Sequence, residues 1–144
     1  MTVIAWDGKT LAADKASTWV GYASMVTKIY RVPAGIIGFS GDGDHAMALL
    51  EWFREGMQRD KYPPAQLTEQ RASGVLITLD RRILIYDKTP FPQYNQQPYY
   101  AIGAGRDYAL AAMFLGHDAR RAVEVACAID INCGNGIDTL TLED

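Results

Sequence analysis

The chain commits its first residues to a sheet. Residues 2–6 (Thr-Val-Ile-Ala-Trp) are apolar and β-prone, Asp7-Gly8 is a type I′ hairpin signal, and residues 10–14 (Thr-Leu-Ala-Ala-Asp) return as a second strand. Chain ends ordinarily fray. An end paired into a sheet holds whatever stands there in a fixed place, and residue 2 is threonine.

The rest of the pattern extends that sheet. Residues 16–24 are small and polar and read as a loop. Residues 25–32 alternate like a strand, Pro33-Ala34-Gly35 turns the chain, and residues 36–40 form a buried strand. Gly41-Asp42-Gly43-Asp44 leads into a helix over residues 44–58, with Ala46, Leu49, Leu50 and Phe53 at helical spacing and Asp44 as its cap. Residues 59–73 read as a connection with at most a short helix. Residues 74–79 and 82–86 form a hairpin around Asp80-Arg81, and residues 88–97 a Pro/Gln-rich loop. A short strand over 99–102 ends in Gly103-Ala104-Gly105. Helices follow over 108–115 and 119–129, the second capped by Asp118, and a last strand covers 137–142. Hairpins dominate, so the sheets are mainly antiparallel, with helices on the outer faces of two stacked sheets.

The length of 144 residues suits one domain spanning 1–144, with no repeat or internal boundary. With 49% apolar residues, a core forms without a metal or disulfide staple. A net charge of -3, mixed along the chain, points away from nucleic acid and from an anionic membrane. No apolar run reaches the length of a membrane span and no leader pattern opens the chain, so a cytoplasmic protein is expected. Cys127 and Cys133 are too few for a disulfide framework.

The chemistry centres on Thr2. A small residue after Met1 permits removal of the methionine, which leaves a hydroxyl and a free α-amine on one residue. The hydroxyl is a poor nucleophile alone, and the amine can serve as its base. That amine has a pKa of roughly 7.7–8.0 and is mostly protonated at neutral pH. A lysine ammonium about 4 Å away contributes roughly 4 kcal/mol at an effective dielectric of about 20, but only about 1 kcal/mol in bulk water. One pKa unit is about 1.36 kcal/mol, so a sheltered lysine suffices, with a carboxylate to hold it charged. Asp14 ends the second strand and Lys28 lies on the next. Either alone reads as a solvated surface charge; together with Thr2 they make a constellation.

This combination resembles the proteasome β subunits and the HslV peptidase, members of the N-terminal-nucleophile (Ntn) hydrolases. The resemblance runs through residues 2–5, 12–14 and 28–32, then Ile37-Gly38-Phe39-Ser40-Gly41, residues 101–105 and residues 134–138. It implies an α+β fold: a four-layer αββα sandwich of two mainly antiparallel sheets flanked by helices. One helical layer is reduced, because the region after the first helix is short. It implies a threonine-type endopeptidase in which Thr2 is the nucleophile, Lys28 lowers the amine pKa, Asp14 partners Lys28, and the Gly41 N–H forms the oxyanion hole. Asp130 and Cys133 take the places of the family's Asp and Ser that support the amine. Peptide or unfolded protein is the implied substrate, a homo-oligomeric ring the implied assembly, and an ATP-dependent unfoldase the implied partner, with no cofactor or metal. Two positions depart from the pattern. Ala104 stands where the family has a serine in Gly-Ser-Gly, and Cys133 replaces a second serine with a weak donor. They favour an alternative, a catalytically impaired assembly subunit with the same fold.

Other signals have plainer readings. Gly103-Ala104-Gly105 lacks the βαβ context of a dinucleotide fingerprint. Asp42 and Asp44 lack the spacing of a calcium loop. His45 and His117 show no metal-ligand pattern and read as surface or capping residues. Cys127 falls in an apolar helical stripe. No histidine lies near Cys133 in sequence to make it a reactive thiol. Tyr94, Tyr99 and Tyr100 line a substrate groove or pack in a core or interface.

Overall fold

The computed structural model describes residues 2–19 and 22–143. Strands β1 (Val3–Trp6) and β2 (Thr10–Asp14) pair antiparallel as expected. Their turn is displaced by one residue from Asp7-Gly8: the register puts Trp6 opposite Leu11, and Asp7 N–H donates to Thr10 O at 3.3 Å, so Gly8 and Lys9 make the connection. The Asp7 side chain organises it: Oδ1 accepts from the backbone N–H groups of Lys9 (2.8 Å) and Thr10 (2.7 Å). Its Oδ2 accepts from Ala119 N–H at 2.8 Å, tying the hairpin to a helix far along the chain.

Of the loop expected over residues 16–24, residues 20 and 21 lie outside the described residues and the rest are strand. The strands are β3 (Ala16–Trp19) and β4 (Tyr22–Met25), a separate two-stranded sheet. The strand expected over 25–32 is shorter, β5 (Ile29–Val32), because Met25 belongs to β4. β6 (Gly35–Gly41) and α1 (Gly43–Arg54) follow. The cap of α1 is Asp42 rather than Asp44: its carboxylate accepts from His45 N–H at 2.9 Å. Two 3-10 turns, Arg59–Lys61 and Thr68–Gln70, break the connection to β7 (Ala72–Thr78). β8 (Ile83–Tyr86) completes the expected hairpin, and β9 (Gln93–Asn95) adds an edge strand inside the Pro/Gln-rich stretch. β10 (Tyr100–Gly103), α2 (Arg106–Phe114), α3 (Ala119–Ile129) and β11 (Ile137–Thr141) close the order. Asp118 caps α3, accepting from Arg121 N–H at 2.8 Å.

The main sheets run β10-β1-β2-β11 and β5-β6-β7-β8-β9, antiparallel throughout. Strand alternation sorts their side chains into three cores. Ile4, Trp6, Leu11 and Ala13 face inward to meet Ile29, Ile36, Val75 and Ile77 of the other sheet. Val3, Ala5 and Ala12 face outward to α2 and α3, where Ala109, Ala122, Val123 and Ala126 let the helices approach closely. On the far side Ile37, Phe39 and Leu76 face α1 through Leu49, Leu50 and Phe53. The layers therefore run helices, sheet, sheet, helix, the expected αββα sandwich. The α1 side is the reduced layer, with one α-helix. Beside that helix, Tyr62 stacks edge-on to Trp52 with ring centroids 4.8 Å apart. Trp52 in turn donates from Nε1 to Gln58 O at 2.8 Å.

Candidate active site

Three of the expected residues come together at one end of the sandwich. Asp14 is wholly buried at the end of β2, and Lys28 is nearly so just before β5. The Lys28 backbone is fixed by Phe39 N–H donating to its carbonyl at 3.1 Å, which places it beside β6. From there Nζ reaches Asp14 Oδ1 at 2.8 Å and Thr2 Oγ1 at 3.2 Å. The lysine thus bridges the carboxylate and the hydroxyl. Since the threonine oxygen accepts from Lys28, its own proton is available to a base.

A carboxylate this deep is costly unless its oxygens are occupied. Asp14 Oδ1 also accepts from Val3 N–H at 3.0 Å, and Oδ2 accepts from Gly134 N–H at 3.0 Å. Among the described residues no buried side-chain polar atom lacks a partner. Gly134 was not legible as a site residue. Its turn is held by Lys15 N–H donating to Gly134 O at 3.0 Å and by the Lys15–Asp138 ion pair at 2.7 Å.

Gly41 ends β6 and lines the same groove, a cavity of ≈ 780 Å³ that takes in Thr2, Lys28, Val26, Phe39 and Met47. Gly41 has φ +113°, and a Cβ there would lie 2.4 Å from Arg71 O. Only glycine fits, and its backbone stands open to the groove. Ser17 of β3 also lines the groove, so the hairpin that composition hid forms part of the wall.

Gly103-Ala104-Gly105 packs against the first residues. Gly105 N–H donates to Thr2 O at 3.1 Å, and a Cβ on Gly103 (φ +97°) would stand 2.2 Å from that oxygen. Ala104 is exposed. Cys133 is buried with Val3 and Ala126 in the helix-side core, and burial, then the nearby Asp14 carboxylate, pushes its thiol up to about 12. Asp130, the C-cap of α3, accepts from Asn132 N–H at 2.9 Å through its side chain and from Cys133 N–H at 3.1 Å through its carbonyl. Asp130 and Cys133 thus build the turn that delivers Gly134 to Asp14; the hydrogen bonds described for them do not run to Thr2.

No family model matches the sequence, and no curated protein matches it. Solved structures do. BPH of Thiobacillus denitrificans in complex with epoxomicin superposes with a TM-score of 0.74 at 21% identity, covering 99% of each chain. BPH of the same organism in another structure gives 0.71 at 20% identity, covering 99% of this chain and 98% of that one. Eukaryotic HslV from Trypanosoma brucei gives 0.69 at 20% identity, covering 96% and 97%. This is the proteasome/HslV-type Ntn hydrolase fold. Within it the bridging Lys28, the Thr2 hydroxyl and Asp14 occupy one end of the sandwich, beside the groove.

Other expected residues lie elsewhere. Tyr99 and Tyr100 line a separate apolar hollow of ≈ 600 Å³ with Leu110 and Phe114, and Tyr94 is exposed on β9. His45 is buried rather than on the surface. Cys127 is half-buried against the helix-side core, with its thiol pushed up to about 11, chiefly by burial. Among the described residues, no group of three or more His, Cys, Asp or Glu side chains could hold a metal ion, and no helix is long and apolar enough to cross a membrane.

Proposed function

We propose that the chain is a threonine-type endopeptidase acting through Thr2 once Met1 is removed. Met1 itself lies outside the described residues. The observation that carries the reading is the bridge from Lys28 Nζ to Thr2 Oγ1 and Asp14 Oδ1. With the α-amine free, the ammonium beside it favours the unprotonated amine, which takes the hydroxyl proton as Oγ1 attacks the substrate carbonyl. The Gly41 N–H receives the developing oxyanion, and the freed amine gives its proton to the leaving amine. Water then hydrolyses the acyl-enzyme. Asp130 and Cys133 support the terminus through the backbone of the Gly134 turn instead of through hydroxyls.

Peptides or unfolded proteins are the substrates we assign, with a homo-oligomeric ring and an ATP-dependent unfoldase as the assembly and partner that the resemblance supports. A panel of fluorogenic peptides tests the chemistry. Wild-type protein cleaves at least one, Thr2→Ala cleaves none, and equal rates for the two remove Thr2 from the mechanism.

A second reading is a non-catalytic assembly subunit. It is favoured by the methyl of Ala104 and the core-packed thiol of Cys133, since positioned proton transfer is worth about 10²–10⁴-fold. A protein that keeps Met1 and cleaves no peptide in the panel supports that reading.

A further inference from the structure

His45 is a buried imidazole that the proposed mechanism leaves unused. It stands in the first turn of α1, four residues beyond Gly41. Its Nδ1 accepts from Ala72 N–H at 2.8 Å, and its Nε2 lies 2.9 Å from Pro63 O. A backbone N–H can only donate, so Nδ1 carries no proton and Nε2–H donates to Pro63.

Ala72 is the register partner of Gly41 across β6 and β7. The two strands meet closely there. A Cβ on Gly41 would lie 2.9 Å from the Ala72 Cα, and Asp42 N–H donates to Arg71 O at 3.3 Å. His45 N–H, in turn, donates to the Asp42 carboxylate at 2.9 Å. A closed circuit results: Gly41 rests on residues 71–72, Ala72 hangs from the His45 ring, and His45 is bound to the cap that follows Gly41. We propose that His45 is a positioning residue for the Gly41 amide, acting through its Nδ1 acceptor on Ala72. The inference rests on reading Gly41 as the oxyanion donor.

Two substitutions separate the ring nitrogens. In His45→Asn the side-chain oxygen takes the place of Nδ1, keeping the acceptor for Ala72 and losing the donor to Pro63. In His45→Gln the amide takes the place of Nε2, keeping Pro63 and losing Ala72. Each loses one hydrogen bond, so a merely structural role affects both alike. The readouts on the full chain are the Gly41 amide resonance and the kcat and KM for a fluorogenic peptide that wild-type protein cleaves. Removing an oxyanion donor outright costs about 10²–10³-fold in kcat, so displacing one in His45→Gln is expected to lower kcat at least about tenfold, with KM within about twofold. The Gly41 resonance moves with it, while His45→Asn stays near wild type in both. A Gly41 resonance unmoved in His45→Gln, or moved equally in both variants, overturns the proposal. If wild-type protein cleaves no peptide, the peptidase reading fails while the resonance still decides the role of His45. If His45→Gln does not fold, a shifted Gly41 resonance in His45→Asn overturns the proposal and an unshifted one supports it.

Discussion

Asp14 and Lys28 form an ion pair with almost no exposure to solvent, and such pairs are judged by what happens when one partner leaves. Removing one charge of a buried pair costs about 3–5 kcal/mol, because the other remains without compensation. Lys28→Met should therefore lower the unfolding free energy by about 3 kcal/mol or more in urea titrations. Adding Asp14→Asn to that variant should recover part of the loss, since the neutral amide no longer needs a cation and still has oxygen for Val3 N–H. The two thiols make a second residue-scale prediction. Burial holds Cys133 at about 12 and Cys127 at about 11, both raised from 9.0, so each stays protonated at pH 8 in the folded protein. Thiol reagents at pH 8 should modify neither in native protein and both after denaturation. The sign for stability follows. The unfolded thiols ionise near pH 9 while the folded ones do not, so this contribution to stability is intact below pH 9 and falls as pH rises toward 11–12.

At the scale of elements, the site depends on strand ends. Thr2 is placed by β1, by Gly105 N–H on its carbonyl and by the clearance at Gly103. Gly103→Ala puts a methyl into the Thr2 carbonyl at a positive φ, so Thr2 must shift. Peptide cleavage should fall at least tenfold, as about 1 Å of misplacement in a reacting group can cost 10²-fold. Unchanged cleavage would mean that Thr2 placement does not depend on this approach. Most elements were legible because alternation and helical spacing are local. The β1–β2 pair, the β7–β8 hairpin and the extent of α3 from its Asp118 cap to Ile129 follow from residues close in sequence. Residues 16–24 misled because small polar residues carry little β signal. β9 is held by register with β8, which a Pro/Gln-rich stretch does not advertise. Thr2, Asp14 and Lys28, expected together from their chemistry, do lie together, and Gly41, named through the family resemblance, lines the same groove. Gly134 was not legible, because its contribution is a backbone N–H. His45 was not either, because its burial comes from Pro63 and Ala72, which lie 18 and 27 residues away.

Across the whole molecule, the inner strands of each main sheet are buried on both faces, and the pairing of β1 with β2 brings Val3 N–H and Asp14 together beside Thr2. The thick side, with α2 and α3, backs the strands that carry Thr2 and Asp14. The thin side, with α1, backs the strand that ends in Gly41. The groove opens where these halves meet, and the likeness in fold extends over 99% of the chain to a protein solved in complex with epoxomicin. The central claim is that Thr2 is a free, reactive N-terminus. Intact mass of the purified protein before and after incubation with epoxomicin tests it most directly. The expected result is a chain beginning at Thr2 that gains the mass of one inhibitor molecule, with no gain in Thr2→Ala. A chain that retains Met1 and gains no mass would contradict it.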